Sequence, residues 1–106
     1  MAKFLIEARY GPEGARGLSA SGGSARRDAI AELFSSRGGQ LESFYFAFGD
    51  TDAYVIGDLP DNESAAAVAL AVNGSGAVSI STKVLLTPEQ VDKAVQTRVD
   101  YRPPGS

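Results

Sequence analysis

The stretch that decides the fold is Gly-Gln-Leu-Glu-Ser-Phe-Tyr-Phe-Ala-Phe-Gly-Asp-Thr-Asp-Ala-Tyr-Val-Ile-Gly-Asp, residues 39–58. Aromatic and β-branched residues favour strands, and Gly and Asp favour turns, so it predicts two strands folded back at residues 49–51. Successive side chains of a strand point to opposite faces of the sheet, and residues 44–48 are all apolar or aromatic. We therefore expect both faces of this hairpin to be covered.

The rest of the chain supplies the elements around the hairpin. Alternation of apolar and polar residues predicts strands, and capping residues before apolar stripes predict helices, with Ser24, Asp61 and Thr87 as N-caps. Residues 11–23 are expected to be a flexible connector, because they are rich in Gly, Ser and Ala. The predicted elements are a strand over 2–10, a helix over 24–37, the hairpin, a helix over 62–73, a strand over 77–85 and a helix from 88 to about 98.

This order, β-α-β-β-α-β with a C-terminal helix, is that of the ferredoxin-like α+β fold. A chain of 106 residues is long enough for one core, so we predict a single domain over 1–106. Its last residues, 99–106, contain Pro103 and Pro104 and are expected to form an extended tail.

The two-sided apolar hairpin also predicts an assembly. The two helices between the strands can cover only one face of a four-stranded sheet, so we expect the other face to meet the same face of a second copy in a homodimer. Glu7 and Arg9 lie on one face of the first strand and could form an ion pair between subunits. The alternative is a monomer with an exposed aromatic sheet face, which is uncommon.

Composition excludes several kinds of chemistry. The chain has neither Cys nor His, so thiol nucleophiles, disulfides, His-held haem and the usual zinc sites are absent, and we expect no metal or cofactor. The formal net charge is −3 and no long basic run occurs, which argues against nucleic-acid binding. No apolar run is long enough to span a membrane, and no signal peptide is recognised, so we expect a cytoplasmic protein.

Four segments together resemble the GYD domain proteins: residues 21–29, 44–49, 85–89 and 99–104. The signature Gly-Tyr-Asp of that family, often Phe-Gly-x-Tyr-Asp, is similar to Phe48-Gly49-Asp50-Thr51-Asp52, with Thr51 in place of the Tyr. The resemblance implies a bacterial protein with a dimeric α/β-barrel fold. The wider superfamily includes cofactor-free monooxygenases, haem-dependent enzymes, isomerases and stress-related binding proteins, so the fold alone assigns no activity.

The start of the first predicted helix is a candidate anion site. Ser24 with Arg26 and Arg27 combines free backbone N–H groups with two guanidinium groups, which suit a carboxylate or a phosphate. The alternative is structural, because Asp28 or Glu32 could pair with these arginines.

Two further candidates lie on the strands. Asp52 follows the hairpin turn and could act as a carboxylate catalyst, or it could only bond turn amides. Tyr10, Tyr45 and Tyr54 could line a pocket between sheet and helices, or they could serve as interface residues with an apolar ring and one hydroxyl.

Three functions follow as hypotheses. The first is a small dimeric domain that binds a small apolar or anionic metabolite. The second is a cofactor-independent oxygenase or isomerase that acts on an activated aromatic substrate with Tyr45 or Asp52. The third is a structural assembly unit whose Ala-rich helix and Pro-rich tail bind neighbouring subunits.

Overall fold

The computed structural model describes residues 1–105, so the final residue of the predicted tail, Ser106, lies outside it. Within the described residues, the chain forms four strands and four helices. The elements are β1 (Ala2–Tyr10), α1 (Pro12–Ser21), α2 (Gly23–Ser36), β2 (Gln40–Phe46), β3 (Ala53–Leu59), α3 (Asn62–Ser75), β4 (Val78–Leu85) and α4 (Pro88–Gln96).

The strands form one antiparallel sheet in the order β2-β3-β1-β4. The hairpin strands pair with Phe44 opposite Val55, and Val55 in turn lies opposite Ile6 of the central strand β1. Residues directly opposite one another share a face of the sheet, so these three side chains lie on one side. The predicted ferredoxin-like α+β fold is confirmed.

The core lies between this face of the sheet and the helices α2 and α3. The side chains of Phe4, Phe34 and Leu59 are almost fully buried there, and Ile6 and Val55 lie beside them. Helix α2 turns an apolar stripe toward the sheet. Phe34 faces the sheet, and Ile30 packs against the core from one turn earlier.

Phe34 packs directly on the backbone of Gly57 in β3. A Cβ atom added at Gly57 would overlap the Phe34 ring and would lie 2.9 Å from the carbonyl oxygen of Gln40. Gly57 is opposite Phe4 on β1 and Leu41 on β2, so the missing side chain leaves a hollow in the middle of the sheet. The Phe34 ring fills this hollow, which fixes α2 on the sheet.

The opposite face of the sheet, which we call the open face, carries no helix. Tyr45 and Tyr54 lie opposite each other on it, and Leu5 and Ile56 form a second such pair. Tyr45 is 70% exposed and Tyr54 is 39% exposed. The hairpin therefore does present apolar side chains on both faces, as the sequence predicts.

Both lysines on the open face, Lys3 and Lys83, are paired with carboxylates of their own chain, whereas Arg9 on the same face donates from Nε to the carbonyl oxygen of Asp50 at 3.2 Å. Lys3 contacts Glu42 and also Asp58, the latter at 3.1 Å from Nζ to Oδ1. Hydrogen bonds to these two carboxylates, first that to Glu42, raise the pKa of Lys3. Lys83 Nζ lies 2.7 Å from Glu7 Oε2. Glu7 thus already has a partner in its own chain, which removes the reason to predict an ion pair between subunits.

The predicted flexible connector is wrong, because residues 12–21 form helix α1. Pro12 occupies the first turn and Glu13 follows it, and both are favourable there. A Cβ atom at Gly14 would overlap the carbonyl oxygen of Ala77, so this glycine allows α1 to approach the start of β4 closely. Gly14 thus serves close packing against Ala77 and not flexibility of the chain.

Helix α2 begins one residue earlier than predicted, and Ser24 is not its N-cap. The cap position is Gly22, which has φ 85° and ψ 167° and makes no side-chain cap hydrogen bond. Such a positive φ favours glycine, and it lets α1 turn directly into α2 without a connecting loop. Ser24 therefore lies in the first turn of α2, exposed to solvent.

The other helix caps agree with the sequence, although two of the helix ends differ. The Asp61 carboxylate accepts a hydrogen bond from Ser64 N–H at 2.9 Å, and Thr87 forms a complete capping box with Gln90. Helix α3 passes through Gly74, its predicted stop, and reaches the left-handed Gly76. Helix α4 stops at Gln96, earlier than predicted. No helix among residues 1–105 is both long and apolar enough to cross a membrane.

Gly57→Ala tests the contact between Phe34 and the sheet. We expect it to lower the free energy of unfolding by about 1–3 kcal/mol, because the added methyl group forces the Phe34 ring out of its hollow. Gly74→Ala is the matched control: nothing lies within 4 Å of its added Cβ atom. Because Ala is the better helix former, this variant should be about 0.5–1 kcal/mol more stable than the wild type. Urea unfolding measures both, and equal stability of the two variants would contradict the contact.

Asp61→Ala tests the cap of α3. Hydrogen bonding to Ser64 lowers the pKa of Asp61 from its ordinary value of 3.8, so the charged cap stabilises the fold above that pH and the effect is lost as the pH falls below it. We expect the variant to melt about 4 °C below wild type at pH 6, with the gap shrinking between pH 4 and about pH 2. Asp92→Ala, which removes an exposed carboxylate that is not an N-cap, should show no such pH-dependent gap. A gap that is constant with pH would refute the charged cap.

Candidate functional site

The candidate site is centred on Tyr10, the last residue of β1. The chain turns there from the sheet into α1, and Gly11 N–H donates to the carbonyl of Ala77 at 3.0 Å. Tyr10 lies opposite Val78 in the sheet, which puts its ring on the helix-covered face. The side chain is half-buried between the sheet, α1 and α2.

Arg26, from the beginning of α2, reaches over Tyr10. Its Nε donates a hydrogen bond to the Tyr10 hydroxyl at 3.2 Å, and its Cζ lies 5.6 Å from the centre of the Tyr10 ring. This combines a hydrogen bond with a cation–π contact. Arg26 is half-buried, and none of the ion pairs found among residues 1–105 includes it. A guanidinium group has five N–H donors, so most of them remain available to a ligand.

Asp52 holds the hairpin turn against the end of β1. Its carboxylate accepts a hydrogen bond from Tyr10 N–H at 2.8 Å, and its own N–H donates to the Ala8 carbonyl at 2.8 Å. Its carbonyl accepts from Ala47 N–H at 2.8 Å, which closes the turn. Through these hydrogen bonds Asp52 positions Tyr10 and the hairpin turn.

A narrow apolar cavity lies beneath Arg26 and Tyr10, between the sheet and the helices. Its volume is about 30 Å³, and apolar side chains including Ile30, Phe44 and Val72 line it. A single water needs at least about 10–15 Å³ of such space, so the cavity holds a few waters at most. As it stands, the interior is too small for a metabolite.

Two larger grooves open from the same point. One, of about 370 Å³, is bordered by α1, the start of α2 and the start of β4; the other, of about 440 Å³, is bordered by α1, Phe46 and the hairpin turn. Tyr10 and Leu18 border both grooves, and Tyr10 also lines the inner cavity. We call Tyr10, Arg26 and the space around them the Tyr10 site.

The structure brings together some of the candidate residues and separates others. Tyr10, Arg26 and Asp52 meet at the Tyr10 site. Tyr45 and Tyr54 do not line a pocket between sheet and helices, because they lie on the open face. Arg27 is exposed and bonds its neighbour Asp28 at 3.2 Å, and Ser24 is exposed beside it.

Leu18 and the whole of α1 were missed from the sequence. The signal that could have found them is Pro12 followed by Glu13, a favourable helix start within the predicted flexible connector. Phe46, which borders the larger groove, was recognised only as a strand residue. A Cβ atom at Gly23 would lie 3.0 Å from the Phe46 ring, so the start of α2 packs closely on it.

The Tyr10 site offers one available cation beside apolar surfaces. It can bind a molecule that combines an anionic group with a flat apolar body, since Arg pairs well with carboxylates and its planar group stacks on rings. In residues 1–105, no group of three or more carboxylates is arranged to hold a metal ion.

Comparison with known proteins gives the family. A family model described as the GYD domain matches residues 4–95, which is nearly the whole chain. Neither the curated proteins nor the solved structures include a match to the chain. The matched span covers β2 to β4 and α1 to α3 in full and most of β1 and α4. The chain therefore belongs to the GYD domain family.

Proposed function

We propose that this protein binds a small molecule with an apolar body and one anionic group at the Tyr10 site. The observation that carries the proposal is Arg26, a half-buried guanidinium group that is fixed on Tyr10 and has no carboxylate partner among residues 1–105. Partly burying a charge is costly unless something compensates it. An anionic ligand group would compensate it through charge-assisted hydrogen bonds.

The apolar part of the ligand has two surfaces to contact. Leu18 borders both grooves, and Phe46 with Phe48 forms an aromatic wall of the larger one. Phe48 is fully exposed, which is unusual for so large an apolar side chain. A ligand ring placed in the larger groove would cover this wall, and its anionic group would have to extend past Tyr10, which borders both grooves, to reach Arg26 in the smaller one.

Helix α1 is a wall of both grooves, and its Leu18 is common to the two. The helix has no buried residue and contains Gly14 and Gly17, each of which weakens a helix by about 1 kcal/mol relative to Ala. The inner cavity is lined by the strands, α2 and α3, and not by α1, so the proposed ligand occupies the grooves and not the cavity.

The catalytic hypothesis has less support. Tyr45 is 70% exposed on the open face, so it lies on the other side of the sheet from Arg26 and Tyr10. The Asp52 carboxylate already accepts a backbone hydrogen bond. Tyr45 thus shares no pocket with the Tyr10 site, and Asp52, which does border it, is engaged in positioning Tyr10. We therefore favour binding over an oxygenase or isomerase reaction.

We also propose that the protein works as a homodimer through the open face. The face offers Leu5, Ile56 and the pair of Tyr45 and Tyr54 for burial. Its charged groups Lys3 and Lys83 are already paired with carboxylates of their own chain. Burial against a second copy would therefore leave no lysine of this face without a partner, which limits the cost of desolvation.

Arg26→Gln tests the binding proposal. With naphthoate as the probe and uncharged naphthamide as its matched analogue, we expect wild-type protein to bind naphthoate at least about tenfold more tightly, because a charged hydrogen bond is worth about 1.5–3 kcal/mol. Arg26→Gln should lose this preference. The control Arg27→Gln, which removes the neighbouring exposed arginine, should keep it. Calorimetric titration measures the affinities, and equal binding of the two probes by wild-type protein would refute the proposal.

Ile56→Asp tests the dimer. The variant puts an unpaired carboxylate in the centre of the proposed interface, so we expect at least a tenfold higher dimer dissociation constant. Ala66→Asp adds the same charge on an exposed position of α3 and should leave association unchanged. Sedimentation equilibrium gives both constants. Wild-type protein that is monomeric at micromolar concentration would contradict the dimer.

A further inference from the structure

The C-terminal arm, residues 86–105, projects from the domain. Every one of its residues is exposed, and the hydrogen bonds and the ion pair found for it join residues of the arm to each other. The radius of gyration is 16.8 Å, against roughly 13 Å for a compact domain of this length, and the longest extent is 56 Å. The arm therefore makes little or no contact with the rest of its own chain.

Helix α4 within the arm is amphipathic. Val91 and Val95 are one turn apart and share a face with Ala94, and these apolar side chains are exposed. Leu86 precedes the N-cap and is 61% exposed, in the position from which it can pack on Val91. The chain thus builds an apolar stripe that nothing in its own fold covers.

This helix needs a partner to be stable. It has nine residues, and isolated helices of that length are marginal in water even in favourable sequences. The complete capping box of Thr87 and Gln90 fixes its start, yet no residue of α4 is even half-buried. The contact that stabilises α4 must come either from another molecule or from its own chain. The second case needs a different path of the link between β4 and α4, one that folds the helix back onto the sheet.

The capping box also argues against a link that folds α4 back onto its own sheet. Only Leu86 and Thr87 separate β4 from α4, and Thr87 is extended, with φ −75° and ψ 159°. Its backbone N–H and its hydroxyl are both bonded to Gln90. With the cap intact, the chain could fold back over the sheet only by reversing at Leu86, the single residue between β4 and the cap.

The charges of the arm favour a protein partner. Its acidic residues are equal in number to its basic ones, and α4 itself has more acidic than basic residues. Helices that bind anionic membranes or nucleic acids need an excess of Lys and Arg. The acidic residues of the arm are Glu89, Asp92 and Asp100, and the basic ones are Lys93, Arg98 and Arg102.

We infer that the apolar stripe of α4 packs on a second copy of this chain that is docked on the open face. The last residue of β4, Leu85, lies opposite Lys3 and so has its side chain on the open face, and Leu86, Thr87 and α4 follow it directly in the chain. A two-fold dimer places both arms symmetrically, and each arm adds contact area to the sheet interface. The inference rests on the homodimer proposed above and is independent of ligand binding.

Single cysteines give the first test, because the chain has none of its own. Val95→Cys places benzophenone maleimide on the apolar stripe, and Gln96→Cys places it on the polar side of the same helix. After irradiation at low micromolar concentration, we expect a cross-linked product of twice the chain mass from Val95→Cys and several-fold less from Gln96→Cys. Cross-links that are only within one chain, or equal yields from both positions, would overturn the inference.

Association constants give the second test. Val95→Asp should raise the dimer dissociation constant at least about tenfold, and Gln96→Asp, with the same charge change next to it, should not. Both variants should bind naphthoate as the wild type does. A dimer that Ile56→Asp disrupts and Val95→Asp leaves intact would refute the role of the arm. If the ligand proposal fails instead, wild-type protein will bind naphthoate and naphthamide equally, and the dimer dissociation constants will be unaffected.

Discussion

The contact between the Phe34 ring and the bare backbone of Gly57 is the one on which the rest of the structure depends. It seats α2 on the middle of the sheet, where Phe4 and Leu59 close the core around it. Arg26 lies eight residues earlier in α2, about 12 Å along the helix axis. The packing of α2 therefore brings this arginine over the end of β1. A shift of the helix along the sheet would remove Arg26 from Tyr10, so core packing and the Tyr10 site are coupled.

The sheet separates two tasks between its faces. The helix-covered face carries the core and, at one end, the Tyr10 site, whereas the open face carries Tyr45, Tyr54 and paired charges. Successive side chains of each strand point to opposite faces, so every side chain of the four strands belongs either to the helix-covered face or to the open face. The proposed ligand binding and the proposed self-association can consequently vary independently.

The sequence was sufficient for the parts of the fold that depend on local physics. The hairpin, the Asp61 cap and the Thr87 capping box follow from alternation and from the hydrogen-bonding groups of single residues. Pro12 and Glu13 are a local start signal for α1, but Gly14 and Gly17 lower its propensity, and Gly14 is present for a contact with Ala77 that is distant in sequence. The contribution of tertiary packing outweighed propensity there. For the site, Tyr10, Arg26 and Asp52 were each candidates, but their meeting depends on strand register and on α2, which the sequence does not reveal.

The most direct measurement of an anion site at Arg26 is two-dimensional NMR of isotope-labelled protein titrated with naphthoate. The side-chain Nε–H resonance of Arg26 and the backbone amide of Tyr10 are reporters within the site, and Val95 and Tyr54 report on the arm and the open face. The proposed function predicts saturable shifts at Arg26 and Tyr10 and none at Val95 or Tyr54. Shifts confined to the arm or the open face, or an unperturbed Arg26 resonance at saturation, would contradict it.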